Sequence, residues 1–463
     1  MPTVKLIIQE KHVWVYGRNR RIDALIDQVT MFQPKGFEWS EKYKEGEWDG
    51  FVHLYKQKMG TFPIGLLEDV QLMLQIKDIP LETVDHRIFQ KFRSVKMAFD
   101  VTLRPYQVEA VCRALDMKRC VIQLPCGTGK TICGLSLIAS VKSPAVFYVH
   151  KKELLYQTKE KMEEMFKTKI GQVGDGKIKL RPITVAMIQT AKRLPKELFT
   201  NFSLAIFDEC HHLSAETFYD IAKETKAEYI IGLSATIRRE DGKEMLIKAG
   251  AGPICYSAST TDLIRKGYLA TPHIHCMKVK PITFGRRDKW ADVYRKAIVN
   301  NTDRNNLIAA KAVELSLHGK VYIHVKQIAH GKRLVNIINK KILKGVPDRQ
   351  AVFLHGKDKT STRKDTLNDF KTGELRILVS TLLGEGVDVP RMYALVLASG
   401  GLSGTFVRQV FGRLLRLSDH GVVHFWDIWD RCKYLLDHWM ARVDYYQSEE
   451  AFVLDKEIQD IRL

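Results

Sequence analysis

The sequence predicts an α/β protein with two tandem parallel-sheet domains preceded by a small α+β domain. Two observations carry that prediction. From about residue 100 to 258, wholly apolar strands alternate with amphipathic helices, and the same texture resumes near 300. Repeated βα units with strands apolar on both faces demand a parallel sheet covered on both sides. A third observation sets the first hundred residues apart: their β-like runs are short and broken by turn signals. The 463 residues allow about three domains, drawn here as 1–97, 98–258 and 259–463.

In the N-terminal part, Val4-Lys-Leu-Ile-Ile and Phe51-Val-His-Leu-Tyr read as strands. Pro34-Lys-Gly, Trp48-Asp-Gly, Met59-Gly and Pro63-Ile-Gly read as turns, and Arg21 to Met31 as a helix. The first parallel domain takes strands beginning at Cys120, Ala145, Thr184, Leu204 and Tyr229. Helices are expected over Arg104–Leu115, Thr131–Val141, Lys152–Phe166 and Glu216–Thr225. Gly171-Gln-Val-Gly-Asp-Gly-Lys177 superficially suggests a phosphate loop, but with no following Ser/Thr or apolar helix it reads as a turn between two short strands. The second domain takes strands beginning at Val321, Ala351, Arg376, Ala394 and Val422, with helices at Thr302–Leu317, Ile328–Ile342 and Phe406–Leu414. Residues 259–300, with Gly267, Pro272, Pro281 and Gly285, read as the connection. Trp426, Trp429 and Trp439 read as core completion on a strand and a helix.

The composition, 45% hydrophobic and 27% charged, excludes global disorder. Lys+Arg exceed Asp+Glu by 73 to 53, a formal charge of +20. Such an excess favours a polyanionic partner, nucleic acid ahead of an acidic membrane, with a generally basic soluble surface as the plain alternative. The eight cysteines form no Cys-x-x-Cys pair, so neither a zinc ribbon nor a thioredoxin-like motif is indicated, and their scatter fits a reducing compartment. His273, His275 and Cys276 alternate on a strand and read as a structural cluster. With no signal-peptide pattern and no apolar run of membrane-spanning length, the protein is expected in the cytoplasm, without a membrane partner.

Chemistry concentrates after the strand ending at Leu124. Pro125-Cys-Gly-Thr-Gly-Lys-Thr131 has the character of a phosphate loop. Gly127, Thr128 and Gly129 turn backbone N–H groups towards phosphate oxygens at a helix start; Lys130 would reach the β- and γ-phosphates and the Thr131 hydroxyl Mg²⁺. The general pattern wants glycine where Leu124 stands. Further on, apolar Leu204-Ala-Ile-Phe runs into Asp208-Glu-Cys-His-His212. Two carboxylates at a strand end suit metal-assisted phosphoryl chemistry: Asp208 for the Mg²⁺ shell, Glu209 to orient or deprotonate water. The competing reading is a solvated cap before a helix. His211 and His212 splay apart and are not expected to bind metal.

Together these features resemble the superfamily 2 DExH helicases, over about 360 residues. The resemblance implies that both parallel-sheet domains are RecA-like and that the activity is ATP-dependent DNA unwinding with Mg²⁺. Leu103-Arg-Pro-Tyr-Gln107 matches the adenine-reading segment, implying nucleotide contacts by Arg104 and Gln107. Ser234-Ala-Thr236 matches the motif coupling hydrolysis to nucleic-acid movement. Gly384-Glu-Gly-Val-Asp388 matches the fifth motif, implying Gly386 and Asp388 at the nucleotide. Gln409-Val-Phe-Gly-Arg413-Leu-Leu-Arg416 matches the sixth. Arg413 and Arg416, three apart on one helix face, are always charged and fork-shaped, as arginine fingers on a γ-phosphoryl need to be; surface salt bridges are the alternative.

The same resemblance implies a backbone-binding track of Lys151, Lys152, Gln189 and Thr190 in the first domain, and of His355, Lys357, Ser380 and Thr381 in the second. Lysines and loop hydroxyls suit phosphate without base readout, although Lys151 and Lys152 could equally be solvated at a helix start. Arg238-Arg239-Glu-Asp-Gly242 is similar to the Arg-Glu-Asp element of XPB-type helicases and faces duplex DNA on that analogy. Gly46-Glu-Trp-Asp-Gly50 and Gly60-Thr-Phe-Pro-Ile-Gly65 resemble the first domain of UvsW-type phage helicases, which remodel Holliday junctions, forks and R-loops. Lys42, Lys44, Lys56 and Lys58 beside Tyr43 and Tyr55 could contact a duplex arm. The expected partner is therefore DNA, branched or forked; protein partners are not legible. Competing expectations are a general duplex or RNA helicase, a DNA-binding protein with a vestigial ATPase, and a translocase subunit of a larger assembly.

Overall fold

The computed structural model describes residues 3–210, 215–236, 241–342, 350–383, 391–401, 404–415 and 421–461. The chain forms two compact units, one comprising residues to Ala258 and the other mainly Ser259–Leu463, with Cys126–Thr128 grouped with the second.

The first unit begins with a four-stranded sheet in the order Thr61–Pro63, His12–Tyr16, Val4–Ile8, Leu81–Asp85. Alternation in Val4-Lys-Leu-Ile-Ile turns Val4, Leu6 and Ile8 inward, the period-two signature of a strand with one buried face. Against it pack helices Arg20–Thr30 and Leu67–Ile76, through Ile26, Val70 and Leu74. The first helix starts where the Asn19 side chain accepts the Ile22 N–H, satisfying one of the donors a helix start leaves open.

Pro63-Ile-Gly65 is not the hairpin turn expected. Pro63 ends a strand, and Ile64–Leu66 form a 3₁₀ turn that feeds the second helix. The reason lies in docking. A Cβ on Gly65 would stand 2.1 Å from the Lys248 carbonyl oxygen, so only glycine lets this turn approach helix Glu244–Ala251. Ala249, Tyr219 and Met245 join the small domain's core, and ion pairs Lys248–Asp69 (2.6 Å) and Lys11–Glu224 (2.7 Å) flank the contact.

The parallel sheet of this unit runs Lys177–Lys179, Gly171–Gly174, Ile183–Met187, Ala145–Val149, Leu204–Phe207, Tyr229–Ser234, Arg119–Gln123, Ile254–Ser257. Every pairing is parallel except the edge hairpin at 171–179, the turn read from the sequence. Strands 145–149 and 204–207 are buried at every residue, as a sheet covered on both faces requires.

The second unit holds an all-parallel sheet in the order Ala351–Leu354, Ile377–Ser380, Val321–His324, Ala394–Leu397, Val422–Trp429, Thr271–Lys278, Val453–Leu454. Residues 259–300 are thus more than a connection: Thr271–Lys278 pairs along its whole length with Val422–Trp429. Pro272 is tolerated because pairing with the short outer strand begins only at His273, so no ladder donor is lost there. His275 bridges Asp455 (3.0 Å) and His424 (2.9 Å), which gives the histidine cluster a structural occupation. Trp429 stacks on fully buried Trp439 at 4.6 Å. Two buried bidentate pairs, Arg304–Asp430 and Arg442–Asp427, tie helices to the sheet. Among the described residues no helix is long and apolar enough to cross a membrane.

Candidate nucleotide site and nucleic-acid loops

Three neighbouring strand ends build the first candidate site. Strand Arg119–Gln123 leads into the glycine loop, Leu204–Phe207 into Asp208-Glu209, and Tyr229–Ser234, paired between them, into Ala235-Thr236. Gly127 and Gly129 take positive φ values of 81° and 89°, the left-handed backbone that turns successive N–H groups to one side, and helix Lys130–Val141 starts directly after. A Cβ on Gly129 would stand 2.5 Å from Gln107 Nε2, so the glutamine amide lies against the loop. Its Oε1 meanwhile accepts the Arg104 N–H at 3.0 Å, fixing which end of the amide faces the glycines. The departure at Leu124 is accommodated: its side chain is fully buried, its N–H donates to Ser234 O, and its carbonyl accepts from Lys130 Nζ at 3.2 Å.

Lys130 is buried, and its ammonium also meets Glu209 Oε1 at 3.2 Å. Glu209 reaches back because its φ is +47°, a left-handed turn that costs a residue with a side chain about 1–2 kcal/mol. Asp208 is buried beside it, its backbone N–H on Tyr148 O and its Oδ1 accepting the Glu209 N–H at 3.1 Å. Burial, with the Glu209 charge adding to it, pushes the Asp208 carboxyl up to about 7. Buried Asp208, half-buried Glu209 beside it and the Thr131 hydroxyl next to Lys130 make a hard-oxygen donor set, and a divalent cation there would relieve the repulsion between the two acids, so the residues fit Mg²⁺. The Ser234 hydroxyl donates to Thr236 O at 2.5 Å, closing the turn after the third strand.

In the second unit, helix Gly404–Leu414 buries Val407, Val410, Phe411 and Leu414, one helical stripe, and Phe411 stacks on Phe452 and packs against Phe425. Arg413 lies off that stripe, half-buried. Gly386, Asp388, Arg416, Arg239, His211 and His212 fall outside the described residues.

The expected track residues differ in availability. Lys151 is exposed at the start of its helix, while Lys152 is paired with Asp175 at 2.7 Å across to the edge hairpin. Gln189 donates to His150 O at 3.2 Å, so the two first-unit loops are tied together, with Thr190 half-buried next to it. Lys357 is exposed, whereas the His355 N–H is held by Asp358 Oδ2 at 2.7 Å. Ser380 corrects the expectation. Its side chain is fully buried and its hydroxyl accepts the Leu382 N–H at 3.0 Å, so it shapes the loop from within; half-buried Thr381 is the more available hydroxyl.

In the N-terminal domain Lys42, Lys44, Lys56 and Lys58 are exposed and Tyr43 partly so. Tyr55 is not: it is buried, with its hydroxyl on Asp23. Trp39, which no motif in the sequence marks, is 75% exposed with Lys44 over its ring.

Residues 100–239 match the family described as "Type III restriction enzyme, res subunit", and 304–418 the "Helicase conserved C-terminal domain". The "DNA 3'-5' translocase XPB2" of Sulfurisphaera tokodaii is 33% identical over 83% of this chain and 93% of its own length. The "ATP-dependent DNA helicase uvsW" of Enterobacteria phage T4 is 23% identical over 90% of this chain and 92% of that protein. The Hef helicase domain of Pyrococcus furiosus, 16% identical over 75% of this chain and 98% of that one, shares the fold with a TM-score of 0.51. A relative at one-third identity across most of both chains leaves no other family to consider: the chain belongs to the superfamily 2 helicases and is an ATP-dependent DNA helicase.

Proposed function

We propose that this helicase translocates 3′ to 5′ on DNA and uses that motion to unwind and branch-migrate branched substrates such as Holliday junctions, forks and R-loops. Its place of action is the cytoplasm, in recombination, repair and replication. The polarity follows the XPB-type relative. The choice of substrate follows the resemblance of residues 46–50 and 60–65 to the UvsW-type helicases, and the phage T4 DNA helicase is similar over most of the chain. One observation carries the chemistry: Lys130, Asp208 and Glu209 converge beneath a left-handed glycine loop, with Lys130 and Glu209 3.2 Å apart.

On this reading the loop N–H groups and Lys130 bind the ATP phosphates, and Arg104 and Gln107 face the base. Thr131 and Asp208 would hold Mg²⁺, which when bound would supply positive charge to the phosphates. Glu209 orients the attacking water and takes its proton. Arg413 and Arg416 supply cations to the γ-phosphoryl, and Gly386 and Asp388 contribute to nucleotide binding. Lys151, Gln189, Thr190, Lys357 and Thr381 hold the strand by its phosphates. The domains proposed for these tasks are 98–258 and 259–463, with 1–97 selecting the branched substrate and Arg239 facing the duplex.

The test compares a synthetic four-way junction, a fork and a linear duplex, with ATP and with Lys130→Ala as control. ATP-dependent preference for junction and fork is the expected result. Equal processing of the linear duplex would reduce the protein to a general helicase. DNA-stimulated hydrolysis without strand separation would make it a translocase that needs a partner.

A further inference from the structure

Beyond the motif loops, the rim of the second unit carries a preformed cationic surface. All strands of its sheet are parallel, so the turns after Leu354, Ser380, Leu397 and Trp429 emerge on one edge. From Ala351–Leu354 to Val422–Trp429 there are four strand-to-strand steps, about 19 Å at the usual spacing. Lys357 and Thr381 stand at the near end. At the far end, the turn 430–434 meets the loop 285–289, which follows the neighbouring strand Thr271–Lys278.

That loop is fixed from within. Lys433 Nζ donates to three of its carbonyls, Gly285 (3.2 Å), Arg286 (2.7 Å) and Asp288 (3.0 Å). The Asp288 carboxylate is turned inward onto the Gly285 N–H at 2.7 Å. With the carbonyls capped and the acid occupied, Arg286, Arg287 and Lys289 stand exposed, and Arg431 stands exposed on the adjoining turn. None of these four has an acidic partner among the described residues. Next to them Tyr434 is held at φ +64°, a strained conformation for an aromatic residue, with its ring partly exposed and its edge to Trp290. Arg431 also lies over the Trp429 ring at 5.4 Å, which leaves its N–H edge open. Fixed backbone, exposed cations without an acidic partner among the described residues and an exposed aromatic form a surface for phosphates and not for an apolar partner.

We propose that Arg286, Arg287, Lys289 and Arg431 bind the phosphate backbone of duplex DNA, as a second contact some 19 Å along the rim from the single-strand loops. At 3.4 Å per base pair that offset corresponds to about five or six base pairs, which puts the surface on the duplex arm of a fork when the motif loops hold its single strand. The inference rests on the DNA-helicase reading and adds to it a contact that no helicase motif contains.

The test is the salt dependence of binding by the full chain. The probes are a fluorescent duplex with a single-stranded tail, and the tail strand alone. Each phosphate contact to duplex contributes about −0.9 to the slope of log K against log salt, so Arg286→Ala with Arg287→Ala should make the tailed-duplex slope shallower by about 1.8. Between 50 and 200 mM salt the wild type should then lose about tenfold more affinity than the variant. Binding to the tail alone and DNA-free ATP turnover should not change, and Arg286→Lys with Arg287→Lys should restore most of the slope. An unchanged slope in the alanine variant overturns the proposal, as does an equal change on the tail alone. If the wild type itself bound no DNA, the failure would belong to the underlying reading and not to this surface.

Discussion

Glu209→Gln removes one charge from the candidate nucleotide site and almost nothing else. Glutamine has the same shape, so the left-handed φ of 47° and its cost are retained, and the fold of the strand end should survive. Lys130 loses the carboxylate at 3.2 Å and becomes freer to meet phosphate, so ATP affinity should hold or improve. Hydrolysis should not hold. A positioned general base contributes about 10²–10⁴ in rate, and losing it raises the barrier by about 3–5 kcal/mol. A second consequence separates this residue from a merely structural one. The Glu209 charge is one of the causes that raise Asp208, so in the variant the acid limb of the Mg²⁺ requirement should move to lower pH. The assay is steady-state ATP turnover with saturating DNA, with nucleotide binding followed by a fluorescent analogue and Mg²⁺ titrated across pH. A turnover within about tenfold of wild type would refute the assignment of Glu209 to water, and weakened ATP binding would show that its bond to Lys130 organises the loop.

In the unaltered protein, Mg²⁺ competes with the proton that burial keeps on Asp208, so apparent Mg²⁺ affinity should fall about tenfold per pH unit below about 7; equal affinities at about pH 6 and pH 8 would contradict this. The sign for folding is the opposite of the usual carboxylate case. Metal-free, the folded state keeps a proton that the unfolded chain releases, so this group's contribution to stability declines as pH rises from about 4 to about 7, measurable by denaturant titration and absent in Asp208→Asn. Gly65→Ala drives a methyl into the Lys248 carbonyl at 2.1 Å and should lower stability by about 1–3 kcal/mol, read as a reduced Tm with earlier proteolysis near residues 86–104. Arg442→Met strands the buried Asp427 carboxylate and should cost about 3–5 kcal/mol in urea unfolding, whereas adding Asp427→Leu should recover much of it.

Legibility followed burial. Strands such as Ala145–Val149 and Leu204–Phe207, buried at every residue, stand out as unbroken apolar runs, and the glycine loop and Asp208-Glu209 announce themselves because each follows such a run. Helix Thr360–Thr372 is illegible in the sequence for the same reason. Phe370 is its one large fully buried side chain, so there is no apolar stripe to find. Thr271–Lys278 reads as a strand, yet its flanking prolines and glycines look like a linker, and nothing local reveals a partner some 150 residues away. Ser380 and Tyr55 show the converse limit. A hydroxyl at a strand end, or beside a lysine, looks available in the sequence, and only packing decides that Ser380 supports its loop and Tyr55 caps Asp23. The geometry between Lys130 and Glu209 was also out of reach, because it depends on a positive φ at a residue whose type gives no hint of it.

The candidate nucleotide site is costly as folded. It buries an ammonium and a carboxyl, strains the backbone at Glu209 and crowds two acids together. A site evolved only to be stable would replace these with apolar side chains, since such substitutions are usually neutral or favourable. The charge costs fall if a phosphate meets Lys130 and the loop N–H groups while a cation meets Asp208, and the left-handed turn at Glu209, whose cost remains, holds its carboxylate in the site. The strain is therefore an argument for the ligand. The same reasoning applies on the far rim of the second unit, where Lys433 spends its charge on three carbonyls and Arg286 and Arg287 have no acidic partner among the described residues. Folding alone gains little from holding Arg286 and Arg287 together on a fixed turn; a polyanion crossing that rim would gain from both.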